Sequence, residues 1–470
     1  MDSMSMKGGP ALQEVTLAEM LDAREARAAA QAELQARYPE ATLISFTLNI
    51  PGPVKNTPAV ERAFFWGCRR IESLLHKRQL LCKEEKRAVT GCEALYAVRR
   101  KPRSLKKACV ALEDENDLGR LFDIDIIAPD GRKLDRADVG QPERGCMVCG
   151  APGRGCASRR LHSVAELQAA AFGRIERHFR DHDAEIIRSI AVRALCDEVN
   201  ATPKPGLVDR NNSGSHDDMD IDTFHRSAAA LSEYFRECAA IGMAHRDLLP
   251  PQVFQLLRTA GLTAERAMYA ATDGVNTHKG AIYTLGVLCG AAGYLRTVEQ
   301  PAASADALLD MAADLTKQAA EADFAYIREK NAPKTAGERL YLAYGLTGIR
   351  GEVARGLPSI REYGLPAWQH ARQHHLDPER TGIYALLHLI AHTDDTTLWH
   401  RGGKEGADYA RRTAAMLLRH TTFPTTAQLE ALDRDFTARR LSPGGSADLL
   451  AVLYFLDHMS TWAEAFDVKP

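Results

Sequence analysis

The stretch "AEIIRSIAVRALCDEV", residues 184–199, sets Ile186, Ile187, Ile190, Ala194 and Leu195 at the spacing of one helix face. It follows a change of texture near residue 177. Beyond that point the segments 225–241, 252–260, 303–330 and 407–419 are rich in Ala and Leu and periodic as helices, with no convincing strand alternation. Polar loops bearing Gly and Pro separate them. An all-α domain with its chemistry in the loops is expected over 177–470. The most apolar stretch, "AIYTLGVLCGAAGYL" (281–295), falls short of the roughly 20 residues needed to span a bilayer, so it reads as a buried helix.

Residues 1–176 read differently. An Ala-rich helix over 14–37 opens at Thr16 with Glu19 three residues later, the spacing of a capping box. "ATLISFTLNIPGP" (41–53), "GCEALYAVRR" (91–100) and "LFDIDIIAPDG" (121–131) read as strands closed by turn residues. Alternating helix and strand imply an α/β or α+β domain. The opening "MDSMSMKGGP" reads as a disordered start.

Bulk composition narrows the function. Of 470 residues, 45% are hydrophobic and 26% charged, an ordinary globular balance. A net charge of −2 gives no basic footprint, which argues against nucleic acid or a membrane as partner. There is no basic segment followed by an apolar run at the N-terminus, so no secretory signal is expected. Ten cysteines in such a chain are expected to be reduced, and the cytoplasm is the expected compartment.

Two constellations carry chemistry in the first domain. In "FDIDII" the strand period puts Phe122, Ile124 and Ile126 on one face and Asp123 and Asp125 on the other. Paired carboxylates of this kind hold Mg²⁺ and bridge it to phosphate oxygens. In "RGCMVCGAPGRGCASRRLH", Cys146, Cys149, Cys156 and His162 are a candidate tetrahedral zinc set. The competing reading has reduced loop cysteines, with Arg154, Arg159 and Arg160 receiving phosphates.

In the second domain "HDDMDIDTFH" (216–225) crowds Asp217, Asp218, Asp220 and Asp222 between His216 and His225. It follows "TPKPGLVDRNNSGS" with Lys204 and Arg210. Four later loops add Asp273, Asn276, His278 and Lys279; Arg350 and Glu352; Asp394, Asp395 and Arg401; and Ser446 with Asp448. A helix start near Lys279 suits a phosphate. Acids for metal, bases for phosphate and glycines for close backbone approach together equip a site for a nucleoside triphosphate with Mg²⁺. No G-x-x-x-x-G-K-[ST] loop is present, so this is not a P-loop enzyme.

"TPKPGLVDRNNSGSHDDMD", "GVNTHKGAIYTLG", "GLTGIRGEVARGLPS" and "SPGGSADLLA", in that order, resemble the triphosphoribosyl-dephospho-CoA synthase family over roughly 177–470. Thr397 stands where that family's pattern has Asn. "GRLFDIDII" and the Cys/Arg/His segment resemble the apo-citrate lyase phosphoribosyl-dephospho-CoA transferase family, also called holo-citrate lyase synthase, over 14–176. There "CASRRLH" departs from a Cys-Ala-Arg-Ser-Arg pattern.

The resemblance implies two consecutive steps. ATP and 3′-dephospho-CoA would give triphosphoribosyl-dephospho-CoA and adenine by glycosyl transfer. The phosphoribosyl-dephospho-CoA unit would then pass to a serine of the citrate lyase acyl carrier (γ) subunit with loss of pyrophosphate, on a nucleotidyltransferase-like first domain. By residue type, Asp217, Asp218 and Asp220 would bind Mg²⁺–triphosphate or activate the hydroxyl. Lys204, Arg210, Lys279 and Arg350 would meet phosphates, and His216 or His278 would protonate adenine. Asn276, Glu352, Arg401 and Ser446 complete the expected substrate contacts, Asp123 and Asp125 the metal ligands of the transfer step. The need for phosphate recognition favours the reading in which Arg159 and Arg160 bind the precursor over the zinc reading. Two rivals stand beside this: a zinc module for nucleic acid or protein on a helical scaffold, and a helical metal-dependent hydrolase of ADP-ribose-type substrates.

Overall fold

In the computed structural model, residues 13–151, 156 and 159–467 are described, and the chain divides into compact units at Arg180/Asp181. The opening "MDSMSMKGGP" and Arg154 lie outside the described residues.

The first unit is an antiparallel sheet with helices. Its elements are α1 (Leu17–Arg37), β1 (Thr42–Leu48), α2 (Pro58–Ser73), β2 (Leu80–Ala88), β3 (Gly91–Val98), α3 (Pro102–Asp114), β4 (Phe122–Ile127) and β5 (Lys133–Leu134), with strand order β2-β3-β1-β4-β5. Thr16 and Glu19 form the expected capping box. The three expected strands are β1, β3 and β4. Sequence reading passes over β2, "LLCKEEKRA", because it is an edge strand whose charged side chains face water.

Register explains how the sheet is used. Phe46 pairs with Ala94 on one side and Ile124 on the other, so these share a face. The centre of that face is apolar: Phe64 of α2 stacks on Phe46 at 5.1 Å, and Phe122 meets it edge-on. A Cβ on Gly67 would lie 2.3 Å from the Phe46 ring, so only glycine lets α2 sit this close. The opposite face is split. At one end Leu43, Leu95 and Ala97 pack with Leu34 of α1. At the other, Thr47 lies between Glu93 and Asp123, one register step from Ser45 and Asp125. The polar end of this face is the first candidate site.

In the second unit every assigned element is helical among the described residues. The helix α4 (Val164–Asn200) is followed by α5 (Ile221–Ala230), α6 (Ser232–Ala244), α7 (Pro250–Ala271), α8 (Lys279–Leu295), α9 (Ala305–Lys330), α10 (Ala336–Tyr344), α11 (Gly348–Ala354), α12 (Leu365–Gln373), α13 (Pro378–His392), α14 (Thr396–His420, kinked at Gly403), α15 (Thr426–Ala438) and α16 (Gly444–Asp467). The expected single helix over 225–241 is two, α5 and α6, meeting at Leu231. The apolar α8 is buried, as its composition demands. It lies tightly on α6: a Cβ on Gly293 would come within 2.1 Å of the Ala239 carbonyl oxygen. No helix among the described residues is long and apolar enough to cross a membrane, and all ten cysteines are free thiols.

Candidate active sites

The polar end of the sheet opens into a recess of about 150 Å³, with Asp123, Glu93 and Thr47 on the floor and Arg24, Arg27 and Lys55 around it. Arg27 is held by Glu93 at 2.8 Å. Lys133 of β5 donates to Asp125 at 2.5 Å, while Asp123 has no such close cation. The strand alternation therefore brings the two aspartates to one face as the sequence requires. Partial desolvation, and next the neighbouring Asp125 charge, push the Asp123 carboxyl above its ordinary range, against the pull of Arg144, Lys133 and Arg27. A divalent cation would lower that cost by sharing the two charges. Glu93, on β3, is a carboxylate of this recess that sequence reading missed; only the sheet register puts it on the same row as Asp123, across Thr47 of β1.

The same unit gathers Cys146, Cys149, Cys156 and His162, whose ligand atoms all lie within 4.8 Å of one another. Arg159 and Arg160 are exposed beside them and do not line the recess.

In the second unit, loops far apart in sequence converge on one cavity of about 600 Å³. Asn276, His278 and Lys279 come from the start of α8; Arg350 and Glu352 from α11; Asp394 and Asp395 from the start of α14; and Asp448 from the first turns of α16. Glu198, Lys204 and His216 complete the polar wall.

Each group has a defined state. Lys204 is 1% exposed and donates to Glu198 at 2.5 Å and to that residue's carbonyl at 2.7 Å. Asp395 caps α14, accepting from the Thr397 and Leu398 amides, and also from the amide and hydroxyl of Ser446. Asp448 lies against the first turn of α8 so closely that a Cβ on Gly280 would meet its oxygen at 1.9 Å. Desolvation, then the charges of Glu198 and Asp395, raise Asp448 well above the usual carboxylate range, although the Ala281 amide opposes this. Among the cavity carboxyls, Asp448 has its proton affinity raised by burial together with two nearby like charges.

The histidines are neutral. Arg401 donates to His216 Nδ1 at 2.9 Å, which leaves the ring's Nε2–H for Ser442 Oγ at 2.8 Å. Burial, and next Arg401, push His216 down to about 4. His278 is 3% exposed, shares a hydrogen bond with Ser227 at 2.7 Å, and is pushed down to about 3, chiefly by burial. Its Nε2 is buried with no hydrogen-bond partner among the described residues. Neither imidazole carries the proton expected for protonating adenine, because burial and nearby cations remove it.

The acidic stretch is the main correction. Asp217 and Asp218 are exposed (91% and 61% by side chain) and neither lines the cavity. Asp220 is the N-cap of α5, spending its carboxylate on the Thr223 amide and hydroxyl. Charge density at that point serves a solvated turn and a helix cap. Arg210 also lies off the cavity, on Glu379 and Thr202. Arg401 acts behind His216, and Ser446 behind Asp395, neither on the wall. Lys204 faces the cavity but is committed to Glu198, which the sequence reading did not single out. The start of α8, expected to receive a phosphate, holds the Asp448 carboxylate instead. Lys279 and Arg350 are half-exposed on the wall, with Glu265 at 2.9 Å and Asp323 at 3.7 Å as partners, and remain the cations able to meet a ligand.

A carboxylate-bearing sheet face in one unit and a proton-holding, cation-edged cavity in the other define an enzyme with two separate centres. Comparison with known families gives each centre a counterpart. Residues 15–178 match the family described as apo-citrate lyase phosphoribosyl-dephospho-CoA transferase, and residues 184–466 match that described as ATP:dephospho-CoA triphosphoribosyl transferase. The chain is 36% identical over 455 residues to Protein CitXG of Haemophilus influenzae, covering 94% of this chain and 96% of the relative. It is 30% identical over 470 residues to Protein CitXG of Leuconostoc mesenteroides subsp. cremoris, covering 94% and 97%. The "Probable 2-(5''-triphosphoribosyl)-3'-dephosphocoenzyme-A synthase" of Photobacterium profundum is 40% identical over 282 residues, 59% of this chain and 88% of that protein. The chain belongs to the CitXG family, in which a CitX domain and a CitG domain share one polypeptide, and it is a bifunctional transferase. Both matches are to transferases, which displaces the hydrolase and scaffold rivals.

Proposed function

We propose that the helical cavity moves the triphosphoribosyl group of ATP to 3′-dephospho-CoA, and that the sheet recess then attaches the phosphoribosyl-dephospho-CoA unit to a serine of the citrate lyase acyl carrier subunit. In the first reaction the bond from the ATP ribose to adenine breaks and a bond to a dephospho-CoA hydroxyl oxygen forms. The hydroxyl proton is lost and adenine gains one, so a group that accepts and donates a proton is needed. Asp448 is that group in this reading, because burial and the Glu198 and Asp395 charges raise its affinity for a proton. Lys279 and Arg350 receive the triphosphate, and His278 offers its unpartnered Nε2 as a neutral hydrogen-bonding group for the base.

Mg²⁺ fits both sites as a shared ligand of protein and substrate. Among the described residues no carboxylate cluster has three ligand atoms within 4.8 Å of one another, so neither site is a closed cage. Mg²⁺ of that kind takes one or two carboxylates and otherwise phosphates and water. Asp394 and Glu352 would serve in the cavity, Asp123 and Asp125 on the sheet; the ion would neutralise the phosphate charge. In the second reaction the serine oxygen bonds to phosphorus, the bond to pyrophosphate breaks, and the serine proton goes to solvent or a carboxylate. This is nucleotidyltransferase-type chemistry on the face carrying Asp123 and Asp125. Ten free thiols suit a cytoplasmic enzyme.

The observation that carries the first half is the convergence of four separate loops on one cavity. Full-length protein mixed with ATP, Mg²⁺ and dephospho-CoA should yield adenine and the coupled product by mass spectrometry, and no adenine without dephospho-CoA. Equal adenine release in its absence would make this centre a hydrolase.

A further inference from the structure

We propose that Cys146, Cys149, Cys156 and His162 bind one structural Zn²⁺ that pins the loop carrying Arg144 onto strand β4. Among the described residues around them there is little regular structure and little apolar burial, so packing alone does not explain why four such groups meet. Cys146 and Cys149 sit on one tight turn. Gly150, at φ +72, donates its amide to the Cys146 carbonyl at 2.9 Å, and the Cys146 amide donates to the Ala151 carbonyl at 2.6 Å. A Cβ on Gly145 would come within 2.3 Å of the Gly150 oxygen, so the turn closes only with glycine there. The Val148 amide points at Cys146 Sγ at 3.5 Å, an orientation that favours negative charge on sulfur.

Cys156 and His162 arrive from the other side. Cys149 Sγ is 3.4 Å from Cys156 Sγ and 3.2 Å from His162 Nε2. Zinc at about 2.3 Å from sulfur and about 2.0 Å from nitrogen gives tetrahedral edges of about 3.7 Å between sulfurs and about 3.5 Å from sulfur to nitrogen. The Cys149 contacts lie slightly inside those edges and the four ligand atoms all lie within 4.8 Å of each other, so a small rearrangement accepts the ion. Three thiols and an imidazole select a borderline-soft tetrahedral ion over Mg²⁺ or Ca²⁺. Binding releases the three thiol protons to solvent and leaves a complex of net charge −1. With four protein ligands no position is open for catalysis, which makes the role structural.

The turn is tied to the carboxylate strand. Arg144, two residues before Cys146, donates to the Phe122 carbonyl at 2.8 Å and is one of the charges acting on Asp123. Arg120 donates to the Gly145 carbonyl, and Arg174 of α4 to that of Met147 at 2.9 Å. Zinc therefore staples the loop that brings Arg144 to the transfer site, a role that stands whatever that site's substrate.

The test is elemental analysis of full-length protein purified under reducing conditions without added metal. The expected result is a zinc-to-chain ratio near one, falling about tenfold in Cys149→Ser and in His162→Ala. Should those variants fold poorly, wild-type protein stripped of metal and given Co²⁺ should develop thiolate-to-cobalt charge-transfer absorption. The stripped chain should also melt lower in its first unit while adenine release is unchanged. A ratio near zero with no cobalt band overturns the proposal. So does zinc retained at the wild-type ratio in both variants, or a Cys149–Cys156 disulfide found by peptide mapping.

Discussion

The two units handle acidic groups in opposite ways. On the sheet, Asp123 and Asp125 sit two positions apart in sequence and on the same pleated face, and one has a single lysine partner. In the helical unit the acids that matter, Glu198, Asp395 and Asp448, are single residues far apart in sequence and enclosed by the fold. Each carries a different commitment: an ion pair, a helix cap, a retained proton. The one dense acidic run of that unit, residues 216–225, lies largely at the surface. Local density of charge identifies a strand site because the period of two is fixed by the backbone. In the helical unit the cavity wall is assembled from loop ends, which local charge density along the chain does not reveal.

The sharpest way to break this comparison is to strip a committed partner. Lys204→Met leaves Glu198 buried without its cation and should cost about 3–5 kcal/mol in the helical unit's unfolding free energy. Adding Glu198→Gln should recover a good part of it. A loss below about 1 kcal/mol in the single variant would mean the pair does not organise the cavity.

Activity separates the two centres next. Asp448→Asn should lower adenine release about 100-fold or more without lowering the melting temperature, since it removes a carboxyl already held protonated. Asp123→Asn should give a similar loss in transfer of supplied precursor to the carrier, with adenine release within about twofold of wild type. If either variant disables both reactions equally, the division of labour fails.

Acid sensitivity gives a smaller effect. Burial, and then His392 and His370, push His388 down to about 4 in the folded protein, against an ordinary value of 6.5. Between those values the unfolded chain binds the proton and the folded chain does not, so stability is lost as pH falls through that window. His388→Gln should therefore gain about 2 kcal/mol relative to wild type on going from pH 7 to pH 5. Chemical denaturation of both proteins at the two pH values measures it; parallel behaviour would show that the ring is not kept neutral.

The smallest effects belong to the acidic run. Asp217→Asn and Asp218→Asn should leave adenine release within about twofold, because both side chains face water away from the cavity. Asp220→Ala should cost about 1 kcal/mol through the lost cap of α5, with little change in rate at saturating substrate. A large fall in rate for Asp217 or Asp218 would restore the metal role that the sequence suggested.

By itself the sequence determined whatever follows from short-range geometry. The capping box at Thr16, the split of Asp123 and Asp125 from Phe122, Ile124 and Ile126, and the helical texture after residue 177 all depend on neighbours within a few positions. So did the motifs naming the two families. Tertiary structure alone decided the rest. Sheet register put Glu93 on the same row as Asp123, across Thr47, and helix packing turned the start of α8 toward Asp448 and fixed His216 between Arg401 and Ser442. Burial then set the charge states, raising Asp448 and neutralising His278. A proton's affinity depends on the dielectric and the charges around it in space, and those neighbours come from distant parts of the chain: Glu198 is 250 residues from Asp448.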